Sequence, residues 1–368
     1  MVTPGLLPEG LRDRLPPQAE AASRLLHRII VAIGRHGYDR VSPPLAEYEE
    51  ELVGRLKSAR RQDLLRFVDP VSQRTLALRP DITGQVGRIA ATRMAHRPRP
   101  LRLAYGGPVL KLRATQLRPE RELTQAGAEL IGTDAIPAII EILRVAIEAL
   151  EAAGVTAITI DLTLPDLIET LAAGPLPVAP ERLRALRDAL DAKDAGALAG
   201  LDAEAYLPLL EAAGPLPAAL AKLRALSRWD LLDHRLDAIT AITTAFDGRV
   251  AFTLDPTERQ GFEYQSLIGF SLFAEGLRGE VGRGGSYAIM HSDGREEPAV
   301  GFSLYLDPLV DAGLGQEASR RIFVPLDADP SAARTLRREG WVTIAALTAT
   351  DEPVGCTHRM VGGSPEPL

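Results

Sequence analysis

Apolar positions recur along this chain with two periods, and the switches between them lay out its elements. From Pro17, Ala22, Leu25, Leu26, Ile29, Ile30 and Ile33 fall on one stripe at three- and four-residue spacing, which predicts an amphipathic helix. Gly37 supplies a left-handed stop for it. Leu64 to Leu78 predicts a hairpin turning near Val71-Ser72-Gln73. From Leu101 the period becomes two: Leu101, Leu103 and Tyr105, then Leu110 and Leu112, alternate with polar or small residues. The return segment from Glu122 to Ile131 sets Leu123, Gln125, Gly127, Glu129 and Ile131 on one face, so two strands joined by a long charged loop are expected. Asp134 is expected to cap a helix running to Ala152, with Ile139, Leu143, Ile147 and Leu150 inward and Gly154 ending it. Val155 to Leu164 alternates as a strand. Residues 166–246 are rich in Ala and Leu and broken by two Gly-Pro-Leu-Pro turns, and predict four or five helices. Strand patterning returns at Val250. After Gly315 a strand (Ile322 to Pro325), a helix (Pro330 to Glu339) and a second strand (Trp341 to Leu347) precede a polar, Gly/Pro-rich tail expected to be mobile.

Candidate chemistry sits on the alternating pair. Gln125 and Glu129 share a face with apolar neighbours, and Gly127 between them leaves room for something to lie against the strand. An amide and a carboxylate beside such a gap can hold an ammonium or imidazole group. The plain alternative is a hairpin with one polar face in solvent. Arg79-Pro80-Asp81-Ile82-Thr83 opens a helix, where Asp81 or Thr83 is either a helix cap or a ligand group. The cluster Gly282-Arg283-Gly284-Gly285-Ser286-Tyr287 matches neither a P-loop nor a dinucleotide fingerprint, and as a free-standing cluster predicts a tight turn. Cys356 and His358 are close in sequence, but two candidate ligands do not make a zinc site.

Composition narrows the classes. The 368 residues suffice for two or three domains with real cores. A net charge of −7 makes nucleic acid a poor default partner. The single cysteine rules out an internal disulfide and fits a reducing compartment. No basic segment leads into an apolar run at the N-terminus, and no apolar stretch approaches the ~18 residues that span a membrane. A cytoplasmic protein without membrane association is expected.

Three segments, in order, resemble the motifs of class II aminoacyl-tRNA synthetases, and specifically histidyl-tRNA synthetase. Gly37 to Pro44 resembles motif 1, which in the family forms a dimer interface. Leu101 to Gly132 resembles motif 2, with the family's Gln-x-Gly-x-Glu-x-x-Gly kept. Pro298 to Leu309 resembles motif 3. Arg79 to Thr83 resembles the family's Arg-Pro-Glu-x-Thr, with Asp81 one methylene shorter, and Gln260-Gly261-Phe262-Glu263-Tyr264-Gln265 resembles Arg-Gly-Leu-Asp-Tyr-Tyr. Gly282 to Tyr287 resembles a loop whose glycines let backbone approach the ligand. The resemblance covers about residues 5–310. It implies an α+β fold: an antiparallel sheet flanked by helices over residues 1–165 and 247–315, a helical insertion over 166–246, and a small C-terminal α/β unit over 316–368. It also implies a histidine pocket of Asp81, Thr83, Gln125, Glu129 and Tyr264.

The ATP-handling positions depart from the family. Lys111 stands at the phosphate-binding Arg, Arg113 at the adenine-binding Glu, Gln260 at the Arg that assists activation, and Pro308 at the motif 3 Arg. Lys offers a point charge where Arg offers a planar fork, Arg for Glu reverses the charge, and Pro has no side-chain donor. Within the family the chain resembles the branch whose members serve ATP phosphoribosyltransferase as regulatory subunits. The resemblance therefore implies a non-catalytic protein with no cofactor. It implies a short-form catalytic partner subunit, L-histidine as effector, and a homodimer within a hetero-oligomer. An active adenylate-forming enzyme is the runner-up. A tRNA-binding mimic is third, disfavoured by the net charge and by a C-terminal unit too short for an anticodon-binding domain.

Overall fold

The computed structural model describes residues 6–53, 64–113, 119–226, 230–246, 248–259 and 265–368. Two units divide the chain, Met1–Gly315 and Gln316–Leu368.

The first unit is built on helix α1 (Gln18–Gly34), whose stripe buries Ala22, Leu25, Ile29 and Ile33. Leu25, Ile29 and Ile33 each contribute roughly 1.5–3 kcal/mol by leaving water. A two-residue strand β1 (Asp39–Arg40) follows. A three-stranded sheet comes next, from β2 (Ala46–Tyr48), β3 (Leu65–Val68) and β4 (Thr75–Leu78), with the short α2 (Glu49–Val53) between its first two strands. The expected hairpin is β3–β4, and Gln73 takes a positive φ of 58° in its turn. Helix α3 (Thr83–Ala91) leads to the expected strand pair β5 (Leu101–Leu110) and β6 (Glu122–Ile131). Helix α4 (Ile136–Ala152) packs on α1 behind them. Its N-cap is Ala135, not Asp134: Thr133 Oγ1 accepts from the Ala135 N–H, and Pro137 sits in the first turn, where no N–H is missed.

Strand β7 (Ile158–Thr163) precedes helices α5 (Leu167–Ala173), α6 (Leu183–Asp191), α7 (Ala195–Gly200) and α8 (Leu207–Glu211). A two-residue strand β8 (Gly214–Pro215), α9 (Leu216–Leu226) and α10 (Asp230–Thr244) complete the segment. Six helices stand here among the described residues, against four or five expected. Those of five or six residues are too short to show a helical stripe. The second Gly-Pro-Leu-Pro stretch is no plain turn, because β8 pairs with β9 (Ala251–Asp255). Strands β10 (Gln265–Ala274), β11 (Gly282–Met290) and β12 (Glu296–Tyr305), then α11 (Asp307–Asp311), end the unit.

The large sheet has the order β1-β5-β6-β12-β11-β10-β7-β9-β8. Its pairs are antiparallel except β1·β5 and β7·β9. One face packs on α1 and α4, and that core runs on without a break through Leu186, Leu198, Leu223 and Ile239 of the helical segment. A second cluster on the opposite face joins Ile82, which precedes α3, and Val86 within it to Tyr105, Tyr287 and Tyr305.

In the second unit, β13 (Arg321–Val324), α12 (Pro330–Arg338) and β14 (Val342–Ala345) form the expected strand-helix-strand piece, with β13 and β14 parallel. The tail is not free chain: β15 (His358–Val361) pairs with β13 and folds back as a hairpin onto β16 (Ser364–Pro367). Gly362 and Gly363, both with positive φ, make that turn.

Candidate functional site

Motif 2 builds the site by strand register. Tyr105 on β5 pairs opposite Gly127 on β6, and a Cβ on Gly127 would overlap the Tyr105 hydroxyl. The room beside Gly127 is thus filled by a tyrosine from the neighbouring strand. That hydroxyl donates to Glu129 Oε1 at 3.0 Å and lies 2.9 Å from Ser303 Oγ and 3.2 Å from Thr83 Oγ1. Tyr287 OH donates to the other Glu129 oxygen at 2.7 Å. Gln125 Nε2 donates to Asp81 Oδ2 at 2.7 Å and to Ser303 Oγ at 2.6 Å, while its carbonyl oxygen accepts from the Ile82 N–H at 3.0 Å. Asp81 Oδ1 accepts from the Thr83 N–H at 2.7 Å, so Asp81 tethers the helix start and reaches Gln125 at once.

Asp81, Thr83, Gln125 and Glu129 therefore converge in one hydrogen-bonded cluster. Tyr264 and Gln260 lie outside the described residues. Gln125 and Glu129 are essentially fully buried, which removes the reading of a hairpin with its polar face in water. Burial is the main influence that pushes the Glu129 carboxyl up to about 8; Asp81 adds to it, and the two tyrosine hydroxyls oppose it. At neutral pH Glu129 is mostly protonated. A cationic group brought beside it would favour the carboxylate.

Glycines clear the floor. Glu129, Gly301 on β12, Gly285 on β11 and Gly269 on β10 pair in one row across four strands. A Cβ on Gly301 would overlap Glu129 Oε2. The glycine cluster from Gly282 is strand interior rather than a tight turn: β11 spans Gly282–Met290 between β10 and β12. A space of about 10 Å³ remains, lined by Thr83, Glu129, Gln265, Tyr287 and Ser303 among others. That holds about one water, so an amino acid enters only if lining side chains shift. Sequence reasoning missed Tyr105, Tyr287 and Ser303 as partners of the site. The pairing of Tyr105 with the small Gly127 was the signal within reach.

The ATP-position residues sit elsewhere. Lys111 follows β5, with its backbone N–H donating to Arg121 O at 2.7 Å, and Arg113 is exposed. Pro308 lies in the first turn of α11, on a cleft of about 710 Å³ whose lining includes Glu120, Glu280, Asp307 and Asp311. Two of these acids hold the N-terminal arm: Asp307 pairs with Arg14, and Asp311 with Arg12 at 3.0 Å. No group of three or more His, Cys, Asp or Glu placed to hold a metal occurs among the described residues, nor a helix long and apolar enough to cross a membrane.

Fold and site together define a class II, histidyl-tRNA synthetase-like protein. The family model described as histidyl-tRNA synthetase matches residues 10–309. A Rhodospirillum centenum protein named ATP phosphoribosyltransferase regulatory subunit is 42% identical, covering 97% of this chain and 95% of that one. A Gluconobacter oxydans protein of the same name is 35% identical over 99% and 97%. A Bacillus halodurans structure, titled as an ATP phosphoribosyltransferase regulatory subunit/histidyl-tRNA synthetase, superposes with a TM-score of 0.80 at 25% identity, covering 95% of each chain. Histidyl-tRNA synthetase from Nostoc shares the fold, with a TM-score of 0.75 at 16% identity, covering 97% of this chain and 91% of that one. The chain belongs to the family of ATP phosphoribosyltransferase regulatory subunits.

Proposed function

We propose that this chain is the non-catalytic, histidine-sensing subunit of a hetero-oligomeric ATP phosphoribosyltransferase. The transferase activity, condensing ATP with phosphoribosyl pyrophosphate in the first step of histidine biosynthesis, belongs to a short-form partner subunit. Histidine binds at Asp81, Thr83, Gln125 and Glu129, with Tyr264 as a further contact, and inhibits the complex. The observation that carries this reading is the buried Glu129, bonded by two tyrosine hydroxyls and facing no ion-pair partner among the described residues. A buried carboxyl without a counter-charge suits a cationic ligand. Histidine acts by preferring one arrangement of the assembly, since an effector shifts an equilibrium only through differential affinity. The minimal unit is a homodimer, as the motif 1 resemblance implies, and the protein works in the cytoplasm without tRNA.

The kept amino-acid groups and the synthetase-like fold give one other reading some support, namely adenylate formation. Against it stand Lys111, Arg113 and Pro308, which depart from the family at its ATP-handling positions. The deciding experiment mixes this chain with a short-form catalytic subunit and follows phosphoribosyl-ATP with and without histidine. Activity that depends on this chain and falls with histidine is expected. Pyrophosphate exchange by this chain alone, with no gain in the mixture, would establish the enzyme reading instead.

A further inference from the structure

The four-stranded sheet of the second unit has two edges, β14 and β16, built in different ways. Strand β16 reads Ser364-Pro365-Glu366-Pro367. Its prolines offer no N–H and its glutamate adds a charge, the devices by which natural sheets keep other strands away. Strand β14 carries neither. From Trp341 to Thr350 the sequence holds no charged residue and no proline. Val342 is 43% exposed at the start of β14, and Leu347 is 85% exposed just beyond its end.

Register shows which backbone groups this edge leaves open. The Val342 N–H donates inward to Arg320 O and the Ala346 N–H to Val324 O, both at 2.9 Å. In a parallel ladder the alternate residues face away, so Thr343 and Ala345 turn both N–H and C=O outward. Beyond them Asp351 closes the edge, accepting the Leu347 N–H at 2.6 Å and the Thr348 N–H at 3.1 Å. The open stretch is therefore centred on Ile344, and its two ends differ in charge. Arg337 and Arg338 lie in the last turn of α12, before β14, and Arg320 sits over the Trp341 ring, 4.9 Å from its centroid. Asp351 and Glu352 follow the strand.

We propose that β14 is a self-association edge, pairing antiparallel with β14 of a second copy of this chain about a two-fold axis at Ile344. Thr343 of each copy then exchanges both backbone hydrogen bonds with Ala345 of the other. The two Ile344 residues face each other as a non-hydrogen-bonded pair, the kind that brings side chains closer. Antiparallel pairing brings the arginine end of one copy to the Asp351 and Glu352 end of the other, and sets exposed Leu347 opposite Trp341. A parallel pair would set arginine against arginine. The contact is isologous and closes on itself. Its area is small, so association depends on concentration. Where another interface already pairs the chains, this edge joins those pairs into larger assemblies. The proposal stands independently of the histidine reading.

Sedimentation of the full chain over a concentration series tests it. The wild-type mass is expected to rise above its low-concentration value. Ala345→Pro removes an outward N–H and leaves the inner ladder whole, so it should raise the concentration needed by roughly 10-fold or more with the thermal midpoint kept. If it fails to fold, Ala345→Lys, which charges the same edge, takes its place. Cross-linking reads the register. In a Cys356→Ser background, Ile344→Cys brings two Cα atoms to about 4.5 Å, within reach of a disulfide, whereas Val342→Cys leaves its two copies more than about 13 Å apart. Oxidation should give a covalent dimer on a non-reducing gel with the first and not the second. A wild-type mass that stays constant with concentration, or equal cross-linking by both, would overturn the proposal. Self-association unchanged by Ala345→Pro, with weaker binding to a short-form catalytic subunit, would give the edge to that partner and overturn the second-copy assignment.

Discussion

Glu129 and Asp307 are both carboxylates buried in the first unit, 1% and 3% exposed, and they are satisfied in opposite ways. Glu129, on β6, has two tyrosine hydroxyls and glycines beneath it. Asp307, beside Pro308 at the start of α11, accepts the Thr124 N–H at 2.8 Å and pairs with Arg14. Burial raises both carboxyls above their ordinary range; Arg14 and Arg12 restrain Asp307, whereas no ion pair restrains Glu129 among the described residues. The first carboxyl is left without a counter-charge among the described residues, which is what the proposed cationic ligand would supply. The second spends its charge on holding the N-terminal arm.

The harshest way to break the contrast is Gly301→Ala. The new methyl would collide with Glu129 Oε2 and come within 2.8 Å of the Ala128 carbonyl oxygen. Overpacking of this kind costs about 1–3 kcal/mol, and more where backbone cannot yield. A lower thermal midpoint and complete loss of histidine binding by calorimetry are expected. An unaffected titration would show that ligand does not use the glycine row.

Glu129→Gln sharpens the contrast without added bulk. The folded carboxyl titrates near 8 against an ordinary 4.5. The native state thus holds a proton that the unfolded chain gives up, and stability is lost as pH rises from about 4.5 to about 8. Glutamine imitates the protonated acid at every pH. The variant should match wild type near pH 4.5 and gain on it through pH 8, by about 1–3 kcal/mol at the upper end, the usual cost of a poorly compensated buried group. Chemical denaturation at several pH values reads this directly. Histidine inhibition should be relieved in the same protein, because the cation loses its counter-charge. A pH-independent stability difference would mean that Glu129 is not the titrating group.

How much of this was legible follows from where the information lay. The helix stripe of α1, the β5–β6 pair and the convergence of Asp81, Thr83, Gln125 and Glu129 were readable, because period and motif order are local properties of the chain. The glycine row was not, because Gly301, Gly285 and Gly269 become neighbours only through pairing of three strands. Read alone, Gly282 to Tyr287 looks like a turn. Gln265 was legible as a departure from the family's second Tyr, but not where it points: a bulge decides that, and a bulge leaves no trace in alternation. The β15–β16 hairpin was read as loose tail because Gly and Pro, which make its turn and edge, are also the residues of disordered ends.

Asp307→Asn should have the smallest effect, and its smallness is the point. The change removes the charge that Arg14 answers, which costs stability. It also removes the burden of a buried carboxylate, which returns it. The side-chain oxygen can still accept the Thr124 N–H. Because the folded carboxyl is raised, the wild-type residue contributes less as pH rises through its titration, so the variant gains slightly with pH, the same sign as at Glu129 but weaker. A net change within about 1 kcal/mol is expected, with histidine binding unchanged. Arg12→Ala gives the surface reference, since Arg12 and Asp311 are each about 40% exposed and such pairs yield about 0.2–1 kcal/mol. If Asp307→Asn instead abolished histidine binding, the two carboxyls would belong to one coupled site, and their separation into ligand receptor and clamp would fail.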